Sequence, residues 1–116
     1  TNMGSLRAHV LHGPALLTCL ANDYGYEQIY SKQIQKFAKQ TDLLIAISSS
    51  GQSKNILNAA NAMAEIGGTI FTLTGFDSNN PLRKIGNSNY WIDSHDYGIV
   101  ELGHLFFLHH LTNLLR

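Results

Sequence analysis

The chain has 116 residues, the span of a single domain, and 44% of them are hydrophobic against 14% charged. Eight basic and eight acidic residues cancel, and no Lys/Arg cluster breaks the balance. This excludes a broad electrostatic pull on nucleic acid or an anionic membrane, so neither partner is expected and an anionic ligand must be held by local donors. No apolar run approaches the ~20 residues that span a bilayer, and no signal peptide is visible at the start. The single Cys19 rules out an internal disulfide and fits a reducing, cytoplasmic location. Thr1-Asn2-Met3-Gly4-Ser5 does not read as a native start, and an upstream segment is expected.

In chain order, Ala8-His9-Val10-Leu11 is expected as a short buried strand, broken by His12-Gly13-Pro14. Pro14 suits the first turn of a helix running to about Leu20, with Cys19 as buried filler. Asn22-Asp23-Tyr24-Gly25 is a turn or cap. A helix from about Glu27 to Lys39 carries Tyr26, Ile29, Tyr30, Ile34 and Phe37 as an apolar stripe. Leu43 to Ile47 is apolar at consecutive positions, as central parallel strands are. Ser48-Ser49-Ser50-Gly51-Gln52-Ser53 follows, then a helix to about Ile66 closed by Gly67-Gly68. Thr69 to Thr74 is a further strand, Pro81 to Ile85 a short helix, Asn89 to Ile92 a last strand, and about Ile99 to Arg116 a long apolar helix. The alternation implies a doubly wound parallel sheet with helices on both faces, a three-layer α/β domain over residues 1–116.

The serine-rich turn carries the most chemistry. It lies between a strand and a helix start, the place beyond the carboxyl ends of strands where such sheets bind ligands. A helix N-terminus carries roughly half a positive charge and unsatisfied donors, which suits a phosphate. One serine is enough to cap a helix. Four in six positions around a glycine argue for an anion site. On the final helix, Glu101 and His104 stand at i, i+3 and share a face, a spacing that suits one metal or a hydrogen-bonded pair. His109 comes eight residues after Glu101, about 12 Å along a regular helix. For His104 a place in the core or an interface outweighs a ligand's role. His110 is expected as structural or exposed, and His9 and His12 carry no clear signal. His95-Asp96 reads as a solvated loop ahead of a substrate lid. Asp23, judged on its own, is a helix cap. The stretch Leu105-Phe106-Phe107-Leu108 is apolar right round the helix, which implies burial on all sides and a subunit interface.

Ala21-Asn22-Asp23-Tyr24-Gly25-Tyr26, the strand with Ser48 to Ser53, and Thr72-Leu73-Thr74-Gly75 together resemble the SIS (sugar isomerase) domain. The resemblance runs from about Ala8 to Leu115 and is closest to the phosphoheptose isomerase branch. It implies an aldose–ketose isomerase acting on sedoheptulose 7-phosphate, giving D-glycero-D-manno-heptose 7-phosphate for nucleotide-activated heptose and surface polysaccharide. It implies phosphate contacts at Ser48, Ser50 and Ser53, with Ser49 lining the same site. Asp23 then contacts substrate and Asn22 shapes its turn. His109 matches a histidine used for acid/base chemistry or for a zinc ion, and Glu101 stands where the family has a glutamine that touches substrate or metal. Gly98 falls where many members carry an Asp. A homotetramer with shared active sites is implied as well. The family's glycine-rich Asn-Gly-Gly-Ser loop, and its helix with a His and a catalytic Glu, would lie upstream of Ala8. Two non-catalytic relatives compete with the enzyme: a SIS scaffold of the replication-initiator-associating type, and the phosphosugar-sensing domain of a transcription regulator. An isomerase for another phosphosugar is a third rival, left open by Glu101 and Gly98.

Overall fold

The structure is a computed structural model that describes residues 2–3 and 6–114. Two short strands, β1 (Asn2–Met3) and β2 (Leu6–Arg7), pair antiparallel at the start. Helix α1 (Pro14–Tyr24) leads through a 3-10 turn (Tyr26–Gln28) into α2 (Ser31–Phe37). Then come β3 (Leu43–Ile47), α3 (Lys54–Ile66), β4 (Thr69–Thr74), α4 (Pro81–Ile85), β5 (Ser88–Trp91) and α5 (Tyr97–Leu114). Strands β3, β4 and β5 form a parallel sheet in that order, with Leu43 opposite Thr69 and Phe71 opposite Ser88. No helix among the described residues is long and apolar enough to cross a membrane.

Side chains alternate across a strand, and that alternation divides the core in two. Ala46 and Ile70 face α2, α3 and α4, where Ile34, Ala59, Ala60, Ala62, Met63 and Leu82 complete one buried cluster. On the opposite face Phe71 and Tyr90 stack on Phe107 of α5, with ring centroids at 5.5 and 4.4 Å. Helices thus cover both faces of the parallel sheet, as expected for three-layer α/β.

Local chemistry explains the boundaries that match the sequence. Gly67 ends α3 in the left-handed conformation at φ 86°, its N–H bonding back to Met63 and Ala64. Asn80 caps α4 by accepting from the Arg83 N–H at 2.8 Å, and Pro81 opens the helix.

The N-terminal part departs from expectation. Ala8–Leu11 forms no strand, and Val10 is 74% exposed. Helix α1 continues beyond Leu20 and takes in Asn22, Asp23 and Tyr24, so Asp23 is in its last turn rather than capping a following helix. Cys19 is exposed, not buried. The expected helix from Glu27 to Lys39 is split. The Ser31 hydroxyl turns back to the Gln28 carbonyl and side chain, a local bond that competes with helical continuity. Of the apolar stripe, Ile29 and Ile34 are buried while Tyr26 and Phe37 face solvent. Strand β3 is an edge of the described sheet, with Leu43 and Ile47 exposed; β4 is the central strand. The long apolar helix is not buried on all sides either, since Leu105 and Phe106 are exposed and α5 turns only Val100 and His104 fully inward. The expected end of α5 at Leu115–Arg116 lies outside the described residues.

Candidate active site

The serine turn leaves the carboxyl end of β3 and is pinned from below. Ser48 N–H donates to the Leu73 carbonyl at 3.0 Å, which continues the β3–β4 ladder by one residue. Ser48 is buried, and its hydroxyl oxygen accepts from Gly51 N–H at 3.1 Å and lies 3.2 Å from the Ser53 hydroxyl. Ser50 Oγ accepts from Gln52 N–H. Gly51 turns the chain at φ +68°, and a Cβ there would stand 2.0 Å from Asn80 Oδ1, so only glycine fits. The Gly51 carbonyl in turn accepts from the Leu82 N–H of α4 at 3.1 Å.

Ser53 is the N-cap of α3 by position, but its side chain makes no cap bond. Its hydroxyl is directed to Ser48 instead. Capping of α3 therefore does not explain Ser53, and the N-terminus of a thirteen-residue helix stands beside the turn.

A cavity of about 350 Å³ opens next to this turn, lined by Ile47, Ser48, Ser49, Glu101, His104, Leu105 and Leu108. The structure thus brings two of the serines and the exposed Glu101 together. His109 lines no part of this cavity and is exposed. Eight residues of regular helix set it about 12 Å along the axis from Glu101 and turned by about 80°, so the two side chains do not meet in a single straight helix. Among the described residues no three His, Cys, Asp or Glu side chains group to hold a metal ion. Glu101 and His109 alone fall short of the three protein ligands that a catalytic zinc takes. Asn22 and Asp23 are exposed at the end of α1 and border neither this cavity nor the smaller one; Asp23 accepts a weak bond from Cys19 Sγ at 3.7 Å.

The smaller cavity lies between α1 and the 3-10 turn, lined by Leu17, Thr18, Ala21, Tyr26, Ile29 and Tyr30. Burial, with Tyr26 adding to it, raises the pKa of the Tyr30 phenol above its ordinary value. His95 and Asp96 divide their work: His95 Nε2 sits 3.6 Å from Asp77 at the surface, while Asp96 caps α5 by accepting from Gly98 and Ile99 N–H.

Two buried residues beside the turn take parts that the sequence did not assign to them. His104 is 3% exposed with Nε2 2.9 Å from the Thr74 carbonyl, so the core reading of this residue is right in burial, yet the ring borders the cavity. Asn80 is 1% exposed and donates to Thr74 Oγ1, the Gly75 carbonyl and the Asp77 carbonyl. The Asn-Pro dipeptide announces a cap, but the role as a hub under Gly51 depends on tertiary placement.

The sequence pattern of the SIS domain matches residues 2–75. The phosphoheptose isomerase of Campylobacter concisus is 34% identical over 93 residues, 80% of this chain and 49% of that protein. That of Mycobacterium tuberculosis is 33% identical over 108 residues, 92% of this chain and 55% of its own length. A solved phosphoheptose isomerase from Neisseria gonorrhoeae superposes with a TM-score of 0.91 at 26% identity, covering 97% of this chain and 64% of that one. One from Francisella tularensis gives 0.84 at 28% identity, over 90% of this chain and 56% of its own. The chain spans about half the length of the curated relatives it matches.

Proposed function

Because the chain belongs to the SIS domain family, we propose that the protein is a sugar-phosphate aldose–ketose isomerase acting on sedoheptulose 7-phosphate. The product would be D-glycero-D-manno-heptose 7-phosphate, made in the cytoplasm for surface polysaccharide. The observation that carries this reading is the serine turn, where Ser53 makes no cap bond and Ser48 and Ser49 border the same cavity as the Glu101 carboxylate. We assign Ser48, Ser49, Ser50 and Ser53 to the phosphate and, in a site shared between copies, Asn22 and Asp23 to sugar hydroxyls.

The reaction moves protons without changing the molecular formula. A base takes a proton from C1 of the ketose while an acid gives one to O2, forming an enediol. The O1 proton then leaves and C2 gains one, yielding the aldose. Glu101 is assigned as the base at the cavity. His109, which stands outside that cavity in a single chain, is assigned as the acid in a site shared between copies, a role imidazole performs without much tuning. Phosphate fixed at the serine turn holds the reacting carbons in register, so remote binding lowers the barrier at C1 and C2. A zinc ion bound at Glu101 and His109 would need a third ligand from outside the described residues; the transfers above use side chains alone. Exposed Ile99, Leu102 and Phe106 along α5 support a homotetramer, which Phe106→Ser should weaken in sedimentation.

The test is turnover of sedoheptulose 7-phosphate by the full-length protein, with and without zinc, beside Glu101→Ala and His109→Ala. Loss of at least a hundredfold in both variants is expected. One observation favours a second reading, a non-catalytic phosphosugar-binding protein: His109 stands outside the cavity. Sugar phosphate bound without turnover in the parent would establish it.

A further inference from the structure

His104 is the buried residue that the proton transfers above leave unused. Its Nε2 lies 2.9 Å from the Thr74 carbonyl oxygen. A carbonyl oxygen only accepts, so Nε2 carries the proton and Nδ1 of the neutral ring is a bare lone pair. Among the described residues, Nδ1 is the one buried side-chain nitrogen or oxygen without a hydrogen-bond partner. Burying such an atom costs stability, and a leucine would fill the space without that cost. The bond made by Nε2 therefore has to explain the ring.

That bond acts on one particular peptide plane. The Thr74 carbonyl and the Gly75 N–H belong to the same trans peptide and point in opposite directions. Gly75 N–H donates to the Ser49 carbonyl at 2.8 Å, and Ile92 N–H takes the second lone pair of the Thr74 oxygen at 3.1 Å. The plane is gripped at its oxygen by α5 and the residue after β5, and at its nitrogen by the serine turn. It cannot tilt without straining bonds on both sides, and bonds in series polarise one another. Gly75 permits the close approach: a Cβ there would lie 2.6 Å from Val100 Cγ2 and 3.3 Å from the Ser49 oxygen.

We propose that His104 is a positioning residue for the anion site. Through the Thr74–Gly75 peptide it sets where Ser49, and with it Ser48, stands against a bound phosphate. This rests on the reading of the serine turn as a phosphate site.

The test titrates the full-length protein with inorganic phosphate and with sedoheptulose 7-phosphate, and follows exchange of the Gly75 amide proton by NMR. His104→Leu should weaken both ligands about tenfold and speed Gly75 exchange. His104→Gln, whose side-chain N–H reaches the same carbonyl, should restore most of the affinity. His104→Asn, which reaches only the position of Nδ1, should not, and this pair decides the matter if the leucine variant does not fold. Parent-like affinity in His104→Leu, or rescue by Asn and not by Gln, overturns the positioning role alone. A parent that binds neither ligand overturns the phosphate site and this role with it.

Discussion

Helices α1 and α3 are of similar length, eleven and thirteen residues, and both carry apolar side chains, yet they meet different fates. Helix α3 lies between α2, α4 and the sheet and buries Ala59, Ala60, Ala62 and Met63. Helix α1 buries none of its residues and rests on the 3-10 turn, with Leu16 and Tyr24 in solvent. The difference teaches that an apolar stripe gives a helix its tendency, while only a partner surface gives it stability. It also locates the rigid part of the molecule. The serine turn is bonded to β4 and α4, within the packed half, whereas Asn22 and Asp23 ride on the helix that buries nothing.

The largest expected effect tests the packed side. Met63→Ala empties space at a side chain 1% exposed and should cost about 3 kcal/mol in urea unfolding, the range for core methionine deletions. Asn80→Ala comes next. It removes the α4 cap and leaves the Thr74 hydroxyl and two carbonyls without their shared donor, for about 2–3 kcal/mol. Gly51→Ala should cost about 2 kcal/mol from its positive φ and the collision with Asn80, and should weaken phosphate binding in the same titration. The smallest effect belongs to the other side: Leu16→Ala, at a residue 42% exposed, should cost about 0.5 kcal/mol. A loss at Leu16 as large as that at Met63 would break the comparison, because it would mean that α1 has a covering surface in the full-length protein.

The same contrast decides what was legible in the sequence. From Leu43 to Ile85 the helix boundaries are marked by residues with strong backbone preferences, such as Gly67 in the left-handed region and Pro81 at a helix start. There local preference and packing agree, so β3, α3, β4 and α4 lie where the residues place them. Before Leu43 the signals are weaker and packing decides. Ala8–Leu11 has strand-like composition but gains no neighbouring strand, and the Glu27–Lys39 period is interrupted by the Ser31 bonds. In the site, Ser48, Ser49 and Glu101 converge because motif and topology agree. His104 was read as a core residue, since nothing in its neighbours along the chain shows that Thr74, thirty positions earlier, offers it a carbonyl.

The bond from Leu82 N–H to the Gly51 carbonyl has a use in measurement. Leu82 belongs to α4 and borders neither cavity. Its amide proton nevertheless reads the height of the turn directly. A single resonance on a silent helix can thus serve as a gauge of occupancy, slowing its exchange with solvent deuterium as the turn is held and quickening when it is released.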